Sequence, residues 1–185
     1  MTTAAIEADP YVLPLTAPGS PVVLPKWISP GNRHPVSRYQ DLTWSLAPLI
    51  DNPSGHLENI HWKDCPAPLR DPLRLAAWAM INGELRPTYL HARGPQARGR
   101  SSAAGMAETC REWMRPARWL HGHGITSIAA CTETHWGAYA AGRVKDGTSR
   151  EHARKILGNL TDLWAFDQLT ARPSGITRPL WETEG

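Results

Sequence analysis

The stretch SREHARKILGNLTDLWAFDQL, residues 149–169, carries apolar residues at Ala153, Ile156, Leu157, Leu160, Leu163 and Trp164. That is the spacing of one helical face. Arg150, Arg154 and Lys155 crowd its first two turns. Arg150 and Arg154 are four residues apart and share a side of the helix. A helix that only fills a core has no use for cations gathered at one end. A helix N-terminus also attracts phosphate through unpaired N–H groups and the macrodipole, and Ser149 adds a hydroxyl there. His152 is placed to meet a base edge or sugar rather than to pack. Thr148 and Glu151 have the spacing of a capping box, and the helix is expected to end near Leu169, ahead of Pro173.

Two more helices precede it. Over about 105–121, Met106, Cys110, Trp113, Met114, Ala117 and Leu120 fall near one face, with Glu108, Arg111, Glu112, Arg115 and Arg118 away from it. Pro116 is expected to kink or split this helix, because its ring clashes with the carbonyl four residues back. HGHGITSIAAC (121–131) reads as a turn. A helix over about 133–143 follows, capped by Thr132 and burying Trp136, Tyr139 and Ala140.

Upstream, ARGPQARGRSSAAG (92–105) reads as a linker with Arg93, Arg98 and Arg100 on a flexible backbone. DPLRLAAWAMING (71–83) is a punctuated helix: Asp71 as cap, Pro72 at the first position, Asn82-Gly83 as a left-handed stop. It is apolar almost all round and so expected to be buried. Residues 1–55 hold nine of the seventeen prolines. This part is expected to be irregular, packed patchily through Trp27 and Trp44, with its first 20 residues mobile. Nine Trp against one Phe and four Tyr suggest several small Trp-anchored clusters.

Charge is unevenly spread. Residues 92–160 carry a net +6, against −1 before them and −2 after, within a formal total of +3. A phosphate-binding face explains such a segment. No run of about 18 apolar residues occurs, so no membrane span is expected. The first 25 residues lack the form of a secretory signal, and three scattered cysteines, Cys65, Cys110 and Cys131, suit a reducing cytoplasm.

The string GMAETCREWMRPARWLHGHGITSIAACTETHWGAYAAGRVKDGTSREHARKILGNLTDLWAFDQL resembles the core-binding domain of tyrosine recombinases, the phage-integrase family. The shared elements are a first helix ending in Trp119-Leu120, the GITS turn with Ile128, a capped second helix with Tyr139 on its core face, and the Ser-initiated third helix. Where the family's third helix carries Thr and Arg, this chain has His152 and Thr161, and Pro116 lacks a counterpart. The upstream LAPLIDNPSGHLENIHWKDCPAPLRDPLRLAAWAMINGELRPTYL is similar to the N-terminal extension of actinobacterial-type integrases.

The resemblance implies a mainly α fold: a SAM-like orthogonal helical bundle preceded by a Pro-rich, partly helical extension. The expected organisation is 1–60 Pro-rich extension, 61–91 helical extension, 92–103 basic linker, 104–172 core-binding domain and 173–185 interdomain stub. The implied function is clamping of duplex DNA at an attachment site, with other recombinase protomers as further partners and a nucleoid-associated, cytoplasmic location. The expected DNA-contacting residues are Arg98, Arg100, Arg111, Arg115, Arg118, Ser149, Arg150, His152, Arg154 and Lys155.

No catalysis is expected of the chain itself. Strand exchange in that family uses an Arg/His cluster and a nucleophilic Tyr. Here no His-x-x-Arg occurs, and Tyr11, Tyr39, Tyr89 and Tyr139 all precede the third helix. The chain thus reads as the DNA-binding portion of an integrase. No cofactor, metal or small-molecule substrate is expected: His56, His61 and Cys65, or His121 and His123, lack the paired spacing of a zinc site. Trp113, Trp119, Trp136 and Trp164 have helical spacing that favours core packing over base stacking. The alternatives are a protein–protein adaptor or regulator docking on a partner recombinase, and a small transcriptional regulator.

Overall fold

The computed structural model describes residues 8–52 and 57–178. Among them the chain forms five α-helices: α1 Ala67–Asn82, α2 Pro87–Arg93, α3 Ala103–Gly122, α4 Glu133–Lys145 and α5 Arg150–Asp167. Two short strands, β1 Thr43–Ser45 and β2 Asn59–His61, pair antiparallel with Trp44 opposite Ile60. The fold is therefore mainly helical, and the strand pair is a feature the reading of the N-terminal part missed. Trp44 is the reason for it. Its indole is fully buried beside Ile60 and meets Trp62 edge-on at 5.1 Å.

Helix α1 begins five residues earlier than its punctuation suggested. Pro68 occupies the first turn, Asp71 makes no cap, and Pro72 lies inside the helix. Its end also differs from expectation. Gly83 is extended, with φ −117°, so it is not a left-handed stop. It is glycine because a Cβ there would lie 2.8 Å from the Ala79 carbonyl oxygen.

Along α1 runs one polar stripe, Arg74, Trp78 and Asn82, at successive steps of four residues. Each serves the Pro-rich chain before it. Arg74 donates to the carbonyls of Tyr39 and Asp41, and Trp78 Nε1 donates to Pro21 O at 3.0 Å. The buried Asn82 amide donates to Val22 O at 2.8 Å and accepts from Leu24 N–H at 2.7 Å. Trp27 Nε1 reaches the Asn82 carbonyl at 2.8 Å. The opposite side of α1 packs on α3 and α5.

One hydrophobic core results, running from Val22 through Trp44, Trp78, Trp113 and Phe166 to Ile176. Among the described residues the tryptophans do not form separate clusters, because α1 is shared between both halves. The limits drawn at 60, 91 and 103 are thus changes of composition, and the packing crosses them. Residues 8–20 are tied rather than loose: Leu13 N–H donates to Leu169 O at 2.8 Å, and Asp9 pairs with Arg86 at 2.6 Å. Residues 1–7 lie outside the described residues.

Helix α3 runs unbroken through Pro116, which is itself buried. Packing of Trp113, Met114 and Ala117 around it outweighs a proline cost of about 3 kcal/mol. All six of its expected apolar residues are buried, as are Trp136, Tyr139 and Ala140 of α4. The three cysteines are buried and form no disulfide with one another, and burial pushes the Cys65 and Cys131 thiols up to about 11.

Asp167, at the end of α5, is buried and accepts from Ser174 N–H with both oxygens, at 2.9 and 3.1 Å. This folds the chain beyond α5 back onto the helix.

Two measurements check these contacts. Asn82→Ala leaves Leu24 N–H and Val22 O without partners inside the core, and should cost about 2–4 kcal/mol by urea unfolding. A loss near ~0.5 kcal/mol would mean the stripe does not hold the Pro-rich chain. Burial raises the Asp167 carboxyl above its ordinary value. The folded chain then holds this proton more tightly than the unfolded one, so the contribution is present below the unfolded pKa and lost as pH rises through the folded value. Unfolding midpoints between about pH 4 and 7 should fall more for the wild type than for Asp167→Asn. Parallel curves would refute the linkage.

Candidate nucleic-acid interface

The residues expected to contact DNA separate into three groups. The first is the N-terminal end of α5. Ser149, not Thr148, is the cap: its Oγ accepts from His152 N–H at 3.1 Å. Thr148 instead closes α4, donating its N–H to Arg143 O at 3.0 Å. The Ser149 hydroxyl proton remains to donate elsewhere. Ala153, Ile156, Leu160 and Leu163 face the core, which turns Arg150, His152, Arg154 and Lys155 to solvent. Among the described residues none of the cations Arg150, Arg154 and Lys155 forms an ion pair.

The turn between α4 and α5 adds charge that the sequence reading did not assign. It spans only Asp146–Ser149, with Gly147 at φ +97°, a backbone state that favours glycine. A connection this short brings Arg143 and Lys145, in the last turn of α4, near the start of α5. The signal was available: both are basic residues just before an Asp-Gly stop. The N-terminus of α4 is closed by His135, whose Nδ1 accepts from Thr132 N–H at 3.0 Å.

The second group lies on α3. Arg111, Arg115 and Arg118 surround an open hollow of about 470 Å3 together with Asp64 and Met114. Their charge is largely answered on the spot. Arg111 donates to Glu108 Oε2 through two nitrogens at 3.1 and 2.9 Å, and holds that carboxyl below its usual range. Arg115 pairs with Glu112 at 3.4 Å, and Arg118 donates to the Asp64 carbonyl at 3.1 Å.

The third group is in the basic segment before α3. Arg98 is exposed, whereas Arg100 serves the fold. Its guanidinium lies 3.5 Å from the Trp27 ring centre and donates to Gly83 O at 3.0 Å. Burial lowers its pKa. The segment is anchored again where Leu85 N–H donates to Gly99 O at 3.3 Å. It is not the flexible linker its composition implied.

Arg93, beside this segment, has a structural task as well. Its guanidinium rests against Gly158 in the middle of α5, and it pairs with Asp162 at 3.5 Å. Tyr89 donates to the same carboxylate at 2.6 Å. Two residues of α2, four apart, thus meet two residues of α5 four apart.

The tryptophans named above belong to packing. Trp113 Nε1 donates to Asn159 O at 2.8 Å, and Trp119 lies between His123 and Tyr139 at 4.0 and 5.6 Å. Among the described residues no three His, Cys, Asp or Glu side chains gather as a metal site. His56 lies outside the described residues. Burial raises the Tyr139 hydroxyl, and pushes Tyr39 up to about 12. No helix among the described residues is long and apolar enough to cross a membrane.

Comparison of the chain with family models, with curated proteins and with solved structures finds no match.

The Arg93–Gly158 contact has a direct test. Glycine inside a helix ordinarily costs about 1 kcal/mol relative to alanine, so Gly158→Ala should stabilise if α5 were alone. A Cβ there sits 3.0 Å from the Arg93 guanidinium. The gain should therefore be small in the wild type and close to the full ~1 kcal/mol in Arg93→Ala. Equal effects in both backgrounds, by chemical unfolding, would show that Arg93 does not dictate the glycine.

Proposed function

We propose that this chain binds duplex DNA, and that the N-terminal end of α5, with the turn from α4, is the principal phosphate-contacting surface. The observation that carries this reading is the exposure of Arg150, Arg154 and Lys155 beside a Ser-capped helix start, with no ion pair among the described residues. Such a surface neutralises phosphates by releasing counterions, a term that does not depend on base sequence. His152 and the Ser149 hydroxyl add hydrogen-bonding groups for sugar or base edges. Arg98 and the α3 arginines Arg111, Arg115 and Arg118 supply secondary contacts. Arg100 contributes through its place in the fold.

In its finer form the proposal follows the sequence resemblance. Helices α3, α4 and α5 then correspond to a SAM-like core-binding domain, and the chain is the DNA-clamping portion of a site-specific tyrosine recombinase, acting at an attachment site beside other protomers. The order of the three helices, the Thr132 and Ser149 starts and the buried Tyr139 support it. On this reading the chain neither cleaves nor ligates DNA. The sequence carries no His-x-x-Arg to supply the Arg/His cluster that the chemistry needs.

A fluorescence-anisotropy salt titration on duplex DNA tests the reading. Three to six phosphates engaged would give a slope of log K against log salt of about −3 to −5, with roughly micromolar binding at physiological salt. Replacing Arg150, Arg154 and Lys155 together by Ala should leave helicity intact, since all three are exposed, and flatten the slope by about two to three. Identical titrations for mutant and wild type, with unchanged circular dichroism, would remove DNA binding by this surface and favour an adaptor.

A further inference from the structure

A cavity of about 550 Å3 lies between the end of α2, the basic segment and the first turn of α3. Its lining combines the polar Arg93, Arg98, Arg100, Ser101 and Ser102 with the apolar faces of Leu85, Tyr89 and Leu90. The only carboxylate among its lining residues, Asp162, already serves both Arg93 and Tyr89. With Arg93 answered by Asp162, the guanidinium groups of Arg98 and Arg100 share one opening and repel one another unless a further anion joins them. The start of α3 adds to the positive potential, since its first turn holds no acidic residue.

Donors are left to meet such an anion. Gly83 O takes one N–H of Arg100, and a guanidinium has about five. Ser102 Oγ accepts from Gly105 N–H at 3.1 Å, which leaves its proton available. Arg98 is exposed and carries no structural bond among the described residues. The volume falls within the ~300–1,000 Å3 of small-molecule sites, well above a lone inorganic ion.

We propose that this cavity binds the phosphoryl group of a phosphate ester. Arg98, Arg100 and the Ser101 and Ser102 hydroxyls hold the phosphate, and the organic part lies against Leu85, Tyr89 and Leu90. Arg93, seated on Gly158 and held by Asp162, is a positioning residue. The site uses none of the α5 residues on which the DNA reading chiefly rests and shares with it only the secondary contact Arg98, so the triple α5 mutant separates the two. The phosphate comes from a free ester or from a nucleic-acid strand, and the two sources are separable by competition.

Calorimetric titration of the full chain with AMP, adenosine and pyrophosphate tests the proposal. AMP and pyrophosphate should bind and adenosine should not. Arg98→Ala should weaken AMP about tenfold, the scale of one lost charge-assisted hydrogen bond. Lys63→Ala, an exposed charge outside the cavity, should leave it unchanged. A short duplex that displaces AMP from the triple α5 mutant identifies a nucleic-acid phosphate; AMP retained against the duplex identifies a free ester. Absence of AMP binding at millimolar concentration, equal binding of adenosine, or equal losses in Arg98→Ala and Lys63→Ala would overturn the site.

Discussion

The buried amide of Asn82 is the contact on which the rest of this fold depends. A chain segment with nine prolines in its first 55 residues builds only a fragment of its own hydrogen-bond ladder, at the antiparallel bridge of Pro21 with Arg38, because each proline lacks the donor. Its carbonyls and remaining N–H groups can enter a core only where something else satisfies them. Helix α1 supplies that through Arg74, Trp78 and Asn82, spaced so that all three face the same segment. Asn82 answers a donor and an acceptor two residues apart, Leu24 N–H and Val22 O. This fixes the register of the coil on the helix.

With one side of α1 committed to the Pro-rich coat, its other side is left to receive α3 and α5. That sharing explains why the described residues hold one core rather than several. Tryptophans from both halves, Trp44 and Trp62 on one side and Trp113 and Trp136 on the other, are all buried. It also dictates where charge can go. The buried stripe of α5 sets Arg150, Arg154 and Lys155 outward, and the Asp146–Ser149 turn carries the end of α4 to the same place.

Periodicity made the helices legible. The apolar faces of α3, α4 and α5 and the Thr132 start follow from spacing and capping chemistry alone, whereas α5 is capped by Ser149 and not by the Thr148 that capping-box spacing indicated. What escaped was decided by contacts and competing starts that spacing and composition do not show. Asp71 and Pro72 resemble a helix start, yet the helix begins at Ala67, where Pro68 already suits the first turn. Gly83 resembles a left-handed stop and is instead a close approach to Ala79. The basic segment resembles a linker because its composition gives no hint that Trp27 lies under Arg100. The strand pair rests on three residues each, too short a run for alternation to register.

The same distinction governs how the charge should be read. A net +6 over residues 92–160 suggests a uniform positive face, but the guanidinium groups divide by what they touch. Arg93 and Arg100 are held by Asp162 and by Gly83 with Trp27, while Arg111 and Arg115 are answered by glutamates one turn before them. An arginine committed to a neighbour must give up that contact, or share it, before it neutralises a phosphate, so it releases fewer counterions than its formal charge implies. Formal charge therefore sets only an upper bound on the phosphates this chain can engage. The arginines that approach that bound are the ones the fold does not use, and the start of α5 is where three uncommitted cations stand within six residues.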